Sequence, residues 1–274
     1  MAATDTRFRT ERFPMSFRRL EVKRIETITP GYVRIVAGGP ELEGFQSLDP
    51  DDHFKLILPN PGESEPVLPV QTEGGFAYPE DKPRPVMRDY TPRAVDAAAR
   101  ELSIDVALHE DGFASNWARQ AKPGDVIGTA GPRGSHIVDY DAFDWFLVAG
   151  DETSIPSIAR RLEDVPAGKP IFAFIEVDGA ADEQPLAHSD GATITWVHRN
   201  GVPAGVSTAL ETAIRAFSFP AGEGYQWYTG ETTALREIRR YILNERGFDR
   251  QWVSFSGHWK YGQADFDHHQ KIED

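Results

Sequence analysis

Residues 145–177 read WFLVAGDETSIPSIARRLEDVPAGKPIFAFIEV, and this stretch decides the fold. Its two ends, WFLVAG and IFAFIEV, are apolar runs of strand length. Between them Ile155, Ile158, Ala159 and Leu162 recur at helical spacing. A strand, a helix and a second strand in that order form a unit whose strands run parallel. The alternation continues to the C-terminal side. ATITWVHR (192–199) reads as a strand, and STALETAIRAF (207–217) as a helix with Ser207 or Thr208 as its cap. YQWYTG (225–230) is a strand, TALREIRRYILNERG (233–247) a helix ending at Gly247, and QWVSFSGHW (251–259) a last strand. From Asp144 onward the expectation is an α/β domain with a largely parallel sheet covered by helices. Such sheets bind ligands beyond the carboxyl ends of their strands. The loops at 149–154, 176–179, 197–201, 229–233 and 256–261 are therefore the ones to watch. No GxGxxG sequence is present, so a dinucleotide site here has to differ from the usual fingerprint.

The half before it reads differently. FRRLEVKRIETIT (17–29), YVRIVAG (32–38), HFKLILP (53–59), RDYTPRAV (88–95), ELSIDVALH (101–109) and DVIGTAG (125–131) are short runs of β character. Pro, Gly and Asp clusters separate them, as in an antiparallel barrel or sandwich. ASNWARQA (114–121) is the one helical candidate, and residues 59–85, rich in Pro, Gly and Glu, read as a long surface excursion. The two-domain division falls near residues 137–143, giving a β domain over 15–140 and an α/β domain over 141–274. There is no internal repeat and no low-complexity tract.

Composition narrows the function. The 274 residues are long enough for two ordinary domains. The absence of cysteine excludes disulfides, thiolate zinc, a cysteine nucleophile and a cysteine-ligated iron–sulfur cluster. Asp and Glu total 43 against 29 Lys and Arg, a net charge of −14, which argues against nucleic acid as a partner. No apolar run approaches membrane-spanning length, and the N-terminal MAATDTRFRTERF lacks a signal-peptide core. A cytoplasmic protein without membrane insertion is expected.

Three segments carry chemistry. In RDYTPR (88–93), an extended chain puts Arg88 and Tyr90 on one face, a guanidinium for a phosphate and a ring for a planar heterocycle. The plain alternative is an ordinary charged strand ending at a proline. In HEDGFASNW (109–117), Ser115 lies where a helix begins, either as a simple cap or as part of an anion-binding turn. GPRGS (131–135) is a tight turn that explains its glycines but not its Arg133. His268 and His269 lack the i, i+4 spacing of a helical metal pair and read as a solvated tail, so no metal site is expected.

RDYTPR resembles the R-x-Y-[ST] flavin motif of the ferredoxin-reductase-like superfamily. DDHFKLILP (51–59), DGFASNWA (111–118), AGPRGS (130–135), AGDETSIPSIAR (149–160), TGETTALREIRRYI (229–242) and SGHWKYG (256–262) are similar to the siderophore-interacting protein branch, the ferric-siderophore reductases. Their order covers about residues 16–263. The resemblance implies a Greek-key β-barrel binding FAD, followed by an NAD(P)H-binding α/β domain. It implies that Arg88, Asp89, Tyr90 and Thr91 contact the FAD, with His109, Gly112, Ala114, Ser115 and Trp117 around its pyrophosphate and adenine side. Asp151, Glu152 and Thr153 should lie near the isoalloxazine and nicotinamide, and Gly230 and Glu231 near the nicotinamide. Lys55, Arg133 and Lys260 should form a cationic mouth for the ferric siderophore. Two positions depart from the family pattern: Phe113 stands for a proline, and His258-Trp259-Lys260 for Tyr-Trp-Arg or Tyr-Trp-Lys.

The implied reaction reduces Fe(III) to Fe(II) in a ferric siderophore, catecholate or hydroxamate, with electrons from NADH or NADPH. A reduced ferredoxin is an alternative donor, and the protein is expected as a monomer. A 2′-phosphate on the nucleotide would need basic residues, for which His198-Arg199-Asn200 and Arg236, Arg239 and Arg240 are candidates. Competing readings are the reductase component of an oxygenase, a general flavin reductase, and a flavoprotein that carries a ferric siderophore without turnover.

Overall fold

The protein is seen as a computed structural model, described over residues 7–109 and 112–263. The pair His268 and His269 lies outside the described residues. Two compact units emerge, Met1–Val138 and Asp139–Asp274.

In the first unit, seven strands form one antiparallel sheet. They are β2 (Phe17–Thr29), β3 (Tyr32–Gly38), β4 (Phe54–Ile57), β7 (Met87–Tyr90), β8 (Pro92–Asp96), β9 (Glu101–Ala107) and β10 (Val126–Ala130), in the order β7-β4-β10-β2-β3-β9-β8. Strands β7 and β8 stand at opposite ends of that order, yet only Thr91 separates them in sequence. One residue spans less than 4 Å. The sheet therefore has to curl until its two edges come together at Thr91, which makes it a barrel left open between β7 and β8. RDYTPRAV, expected as one strand, is thus two strands on either side of the seam.

Alternation along each strand fills the interior. Leu20 and Val22, Val33, Ile35 and Ala37, Phe54 and Leu56, Leu102, Ile104 and Val106, and Ile127 form one buried cluster. Ile35 lies opposite Ile104, and Val33 opposite Val106. Helix α1 (Phe113–Ala118) closes one end, with Ala114 and Ala118 in the cluster and Phe113 and Trp117 against it.

Four strands escape a reading from hydropathy. β1 (Phe8–Arg12) pairs with β11 (Gly134–Val138), and β5 (Val70–Thr72) pairs with β6 (Gly75–Ala77). β1, β5 and β6 are largely exposed, so they show no buried face for a pattern to reveal. β5 and β6 belong to the 59–85 excursion, which Arg19 ties back through a 2.7 Å ion pair to Glu65.

The second unit is a five-stranded, all-parallel sheet. β12 (Trp145–Gly150), β13 (Ile171–Val177), β14 (Ala192–His198), β15 (Gly224–Glu231) and β16 (Val253–Trp259) lie in the order β14-β13-β12-β15-β16. Helix α2 (Ile155–Asp164) links β12 to β13, α3 (Ala209–Ala216) links β14 to β15, and α4 (Thr232–Arg240) leads toward β16. Trp145, Leu147, Ala149 and Tyr228 pack with Leu210 and Ile214 of α3 and Leu235 and Ile238 of α4. Burial on both faces explains why WFLVAG and IFAFIEV are apolar without alternation. Helix α4 continues as a π-helical turn over Tyr241–Glu245, and Gly247 at φ 71° follows it.

Because Ile104 is fully buried at the barrel centre, Ile104→Ala should cost about 3 kcal/mol. Urea denaturation checks this; a loss under about 1 kcal/mol would mean that the barrel is not packed as described.

Candidate functional site

Start at the barrel seam. Lys55 of β4 stands directly across from Asp89 of β7, Leu56 from Arg88, and Phe54 from Tyr90. Phe54 and Leu56 point into the core, so Arg88 and Tyr90 share the inner face while Lys55 and Asp89 share the outer one. Lys55 Nζ donates to Asp89 Oδ2 at 2.6 Å. The proposed siderophore lysine and a proposed flavin residue are thus each other's counter-ions. Arg88 Nη1 donates to the Met87 carbonyl at 2.9 Å. Burial pushes the Tyr90 phenol up to about 12, with the Arg88 charge working against that shift. Tyr90 therefore stays a neutral donor at any ordinary pH.

The turn bearing Arg133 is built from β10. Ala130 is the other cross-strand neighbour of Lys55, and Arg133 follows three residues later, exposed. The Arg133 carbonyl accepts from Phe13 N at 2.9 Å. Beneath the turn lies a residue that the sequence did not single out. Arg18, on the inner face of β2, is buried over the Phe45 ring at 5.2 Å and donates to the Gly131 carbonyl at 3.1 Å. Asp52, also buried, accepts from Ser47 Oγ, Asp49 N and Ser135 Oγ, the last at 2.6 Å. Burial raises its pKa while these donors oppose the shift. The Asp52–Ser135 bond joins the DDHF and GPRGS segments, which are far apart in sequence.

At the α1 corner, Gly112 is the residue before the helix, so Ser115 is its third residue and not its cap. The buried Ser115 hydroxyl instead accepts from His109 N at 3.3 Å and donates to the Ala107 carbonyl at 3.2 Å. A Cβ at position 112 would lie 2.1 Å from the His109 ring, so Gly112 is what lets His109 fold over the corner. Ala114 and Trp117 serve the core.

In the second unit, Asp151 leaves the end of β12 as a buried carboxylate. Its Oδ1 accepts from Thr153 N at 2.9 Å and from Thr153 Oγ1. Its Oδ2 accepts from Glu231 N at 2.9 Å and Trp259 Nε1 at 2.8 Å. Burial pushes the Asp151 pKa up, against those donors. Gly230 has φ 127°, and a Cβ there would meet Asp151 Oδ2 at 2.5 Å, so only glycine fits. Glu231 caps α4 through Ala234 N at 2.7 Å and accepts from Tyr261 N at 3.0 Å. Thr153 Oγ1 also lies 3.1 Å from His258 Nδ1, and His258 Nε2 lies 2.7 Å from Thr229 Oγ1. These residues occupy the ends of β12 and β15, between which the strand order reverses, the usual ligand crevice of such sheets. Lys260 follows at the end of β16, partly buried.

Of the basic residues expected at a 2′-phosphate, Arg199, His198 and Arg240 each face a carboxylate of this chain. Arg199 is buried, with Nη1 and Nη2 on the two oxygens of Glu152 at 2.6 and 3.0 Å and Glu176 at 3.7 Å. Burial pushes the Glu152 pKa up, and the Asp151 charge adds to that. Glu176 in turn accepts from Ser207 Oγ and Leu210 N at the start of α3. Arg199 is thus a bolt between two carboxylates, and Glu152 is its partner. His198 Nε2 lies 2.8 Å from Glu183 Oε1, and Arg240 pairs with Glu237 at 2.5 Å. Arg236 is exposed on α4.

The donor set at the seam fits a flavin nucleotide: a guanidinium, a neutral phenol and a hydroxyl within four consecutive residues at one corner of a barrel. Arg88, Tyr90 and Thr91 would hold it. Gly150 and Gly230 are both buried, and a Cβ at either would collide with Ser154, Thr229 or Asp151, so the two glycines let the ends of β12 and β15 close tightly on the turn that carries the Thr153 hydroxyl.

Comparison with known proteins agrees in both units. The profile of the siderophore-interacting FAD-binding domain matches residues 21–136, and that of the siderophore-interacting protein matches residues 143–262. An NADPH-dependent ferric-chelate reductase of Escherichia coli (strain K12) is 39% identical over 91% of this chain and 98% of its own. A ferric vibriobactin reductase of Vibrio cholerae is 29% identical, covering 93% of each chain. The crystal structure of a siderophore utilization protein from T. fusca superposes with a TM-score of 0.88 at 40% identity, over 96% of this chain and 100% of that one.

Replacing Arg199 by Met would leave Glu152 and Glu176 buried without their counter-ion, and should cost about 3–5 kcal/mol. The ratio of kcat/KM for NADPH over NADH should stay within about twofold, because an engaged guanidinium is no phosphate ligand. A variant of native stability with an altered ratio would reverse this assignment.

Proposed function

The chain belongs to the siderophore-interacting protein family, and on that premise we propose that it is an FAD-dependent ferric-siderophore reductase driven by NAD(P)H. The observation that carries the reading is that both units match, the barrel with its flavin motif and the parallel sheet with its nucleotide crest. A carrier without turnover has no use for the second. A cysteine-free chain cannot hold the usual cluster relay of many oxygenase reductases.

When bound, a flavin supplies the step from a two-electron hydride donor to one-electron acceptors. The protein's part is placement. We assign the phosphate side to Arg88, the ring side to Tyr90 and Thr91, and the support of the strand to the Asp89–Lys55 pair. His109, Gly112, Ala114, Ser115 and Trp117 form the corner on which the rest of the dinucleotide lies. Asp151, Thr153, Gly230 and Glu231 shape the nicotinamide crest, with Glu152 engaged behind it by Arg199.

Iron enters as cargo within its chelate. In a chain of net charge −14, an anionic complex has to be met by local cations. Lys55 is half neutralised by Asp89, while among the described residues the Arg133 and Lys260 side chains have no carboxylate partner. This favours an anionic ferric tris-catecholate over a nearly neutral hydroxamate complex. NAD(P)H as donor supports a cytoplasmic location, and among the described residues no helix is long and apolar enough to cross a membrane. One chain carries both halves, so a monomer suffices.

The test is an anaerobic ferrozine assay that crosses NADH, NADPH and reduced ferredoxin with one catecholate and one hydroxamate iron complex. Fe(II) should appear with a nicotinamide nucleotide and fastest from the catecholate. Release with ferredoxin alone would overturn the donor assignment. Lys260→Ala should slow reoxidation of the reduced flavin by the catecholate about tenfold while anaerobic bleaching by the nucleotide proceeds as before. Loss of both half-reactions together would remove Lys260 from the acceptor site.

A further inference from the structure

His258 sits at an irregularity in the sheet. Gly230 pairs with Gly257 and Glu231 with Trp259, so His258 is the extra residue of a β-bulge at the end of β16. Bulges re-aim side chains, commonly beside functional sites. Here the ring reaches from β16 to Thr229 of β15 and Thr153 just beyond β12, joining three strand ends at the crest.

The donors and acceptors of this chain can be ordered from its buried end. Three of the four groups facing the Asp151 carboxylate are N–H donors, from Thr153, Glu231 and Trp259. They can only donate, so Asp151 accepts from each of them. Hydrogen bonds of this kind favour the ionised carboxylate. The Thr153 hydroxyl then also donates to Asp151 Oδ1. Its oxygen must accept at the contact with His258 Nδ1, which therefore carries the proton. A neutral imidazole protonated at Nδ1 accepts at Nε2, here from the Thr229 hydroxyl. The row fixes the proton at Nδ1, and the Thr229 hydroxyl, able to donate, matches a neutral ring at Nε2. Thr153 Oγ1 has given its hydrogen away, has accepted one bond, and keeps a single lone pair.

We propose that His258, held as the neutral Nδ1–H tautomer, is a positioning residue that presents Thr153 Oγ1 purely as an acceptor, for the carboxamide N–H of a nicotinamide. The proposal rests on NAD(P)H being the electron donor. It explains why a polar ring that can both donate and accept is useful at 258.

The test has two arms on the FAD-loaded enzyme. With the eight histidines labelled with nitrogen-15, long-range proton–nitrogen correlation at neutral pH without nucleotide should show His258 as the Nδ1–H tautomer, assigned by loss of its signals in His258→Asn. An Nε2–H ring or a doubly protonated ring would overturn the proposal. In stopped-flow flavin reduction, His258→Gln cannot place a donor at the Nδ1 position and should raise KM for the nucleotide about tenfold with a much smaller change in limiting rate. His258→Asn, whose amide nitrogen takes the Nδ1 place, should stay within about threefold of the parent enzyme. Equal KM values for the two variants would overturn the proposal, whatever their stability. A 3-acetylpyridine analogue of the nucleotide, which lacks the carboxamide N–H, should show no further penalty in His258→Gln; an equal penalty would mean that the carboxamide is not what Thr153 receives. If neither NADH nor NADPH bleaches the parent enzyme, the donor assignment fails, while the tautomer measurement still reports on His258 itself.

Discussion

A carboxylate removed from water has to be met by donors, and at Asp151 four groups do so from three segments of chain: two from Thr153 beyond β12, one from Glu231 at the end of β15, and one from Trp259 at the end of β16. Leaving such a group unsatisfied would cost several kcal/mol, so the three segments are held in one arrangement. Gly230 follows from it, because only a residue without a side chain lets the backbone of β15 come that close. Glu231 follows as well, since its backbone serves Asp151 while its side chain starts α4 and holds Tyr261 N. The crest is therefore polar and held in one arrangement, which suits a ligand whose ring must be placed and not merely retained.

A second network lies behind the first. Arg199, Glu152 and Glu176 run from the end of β14 across to β12 and β13, and Glu176 reaches on to the first turn of α3. Buried charges of this kind add little net stability. Their effect is to fix how helix and strand ends meet. The two networks share no hydrogen bond, yet Asp151 and Glu152 are adjacent in sequence, so the start of the 151–154 turn is held from both sides.

The fold was legible where burial imposes a pattern. WFLVAG, IFAFIEV, FRRLEVKRIETIT and YVRIVAG coincide with β12, β13, β2 and β3, because each carries a run of buried residues on at least one face, in β2 over Arg18, Leu20 and Val22. Exposed β1, β5 and β6 carried no such pattern. The barrel seam was hidden for a different reason: strand order is a property of pairing, and RDYTPRAV looks continuous until its two halves are seen at opposite edges. The motifs name Asp151, Thr153, Gly230 and Glu231 as candidates but do not reveal the hydrogen bonds that join them. Sequence alone leaves Arg199 a candidate phosphate ligand, because its carboxylate partners are 47 and 23 residues away. Arg18 left no trace, being one arginine of the pair Arg18-Arg19, and only the alternation of β2 tells the buried one from the exposed one. His258 was noticed as a departure, and its reach to Thr153 and Thr229 needed the bulge.

The one-residue bridge at Thr91 has a consequence for how such a chain can change over generations. A loop such as residues 59–85 can lengthen or shorten with little penalty, since closing a longer loop costs only slowly more. The bridge between β7 and β8 cannot. One codon added or lost there would rotate every downstream side chain of β8 to the opposite face or pull the barrel's edges apart. Natural variation around RDYTPR should consist of substitutions at constant length, while insertions and deletions collect in the excursion before it.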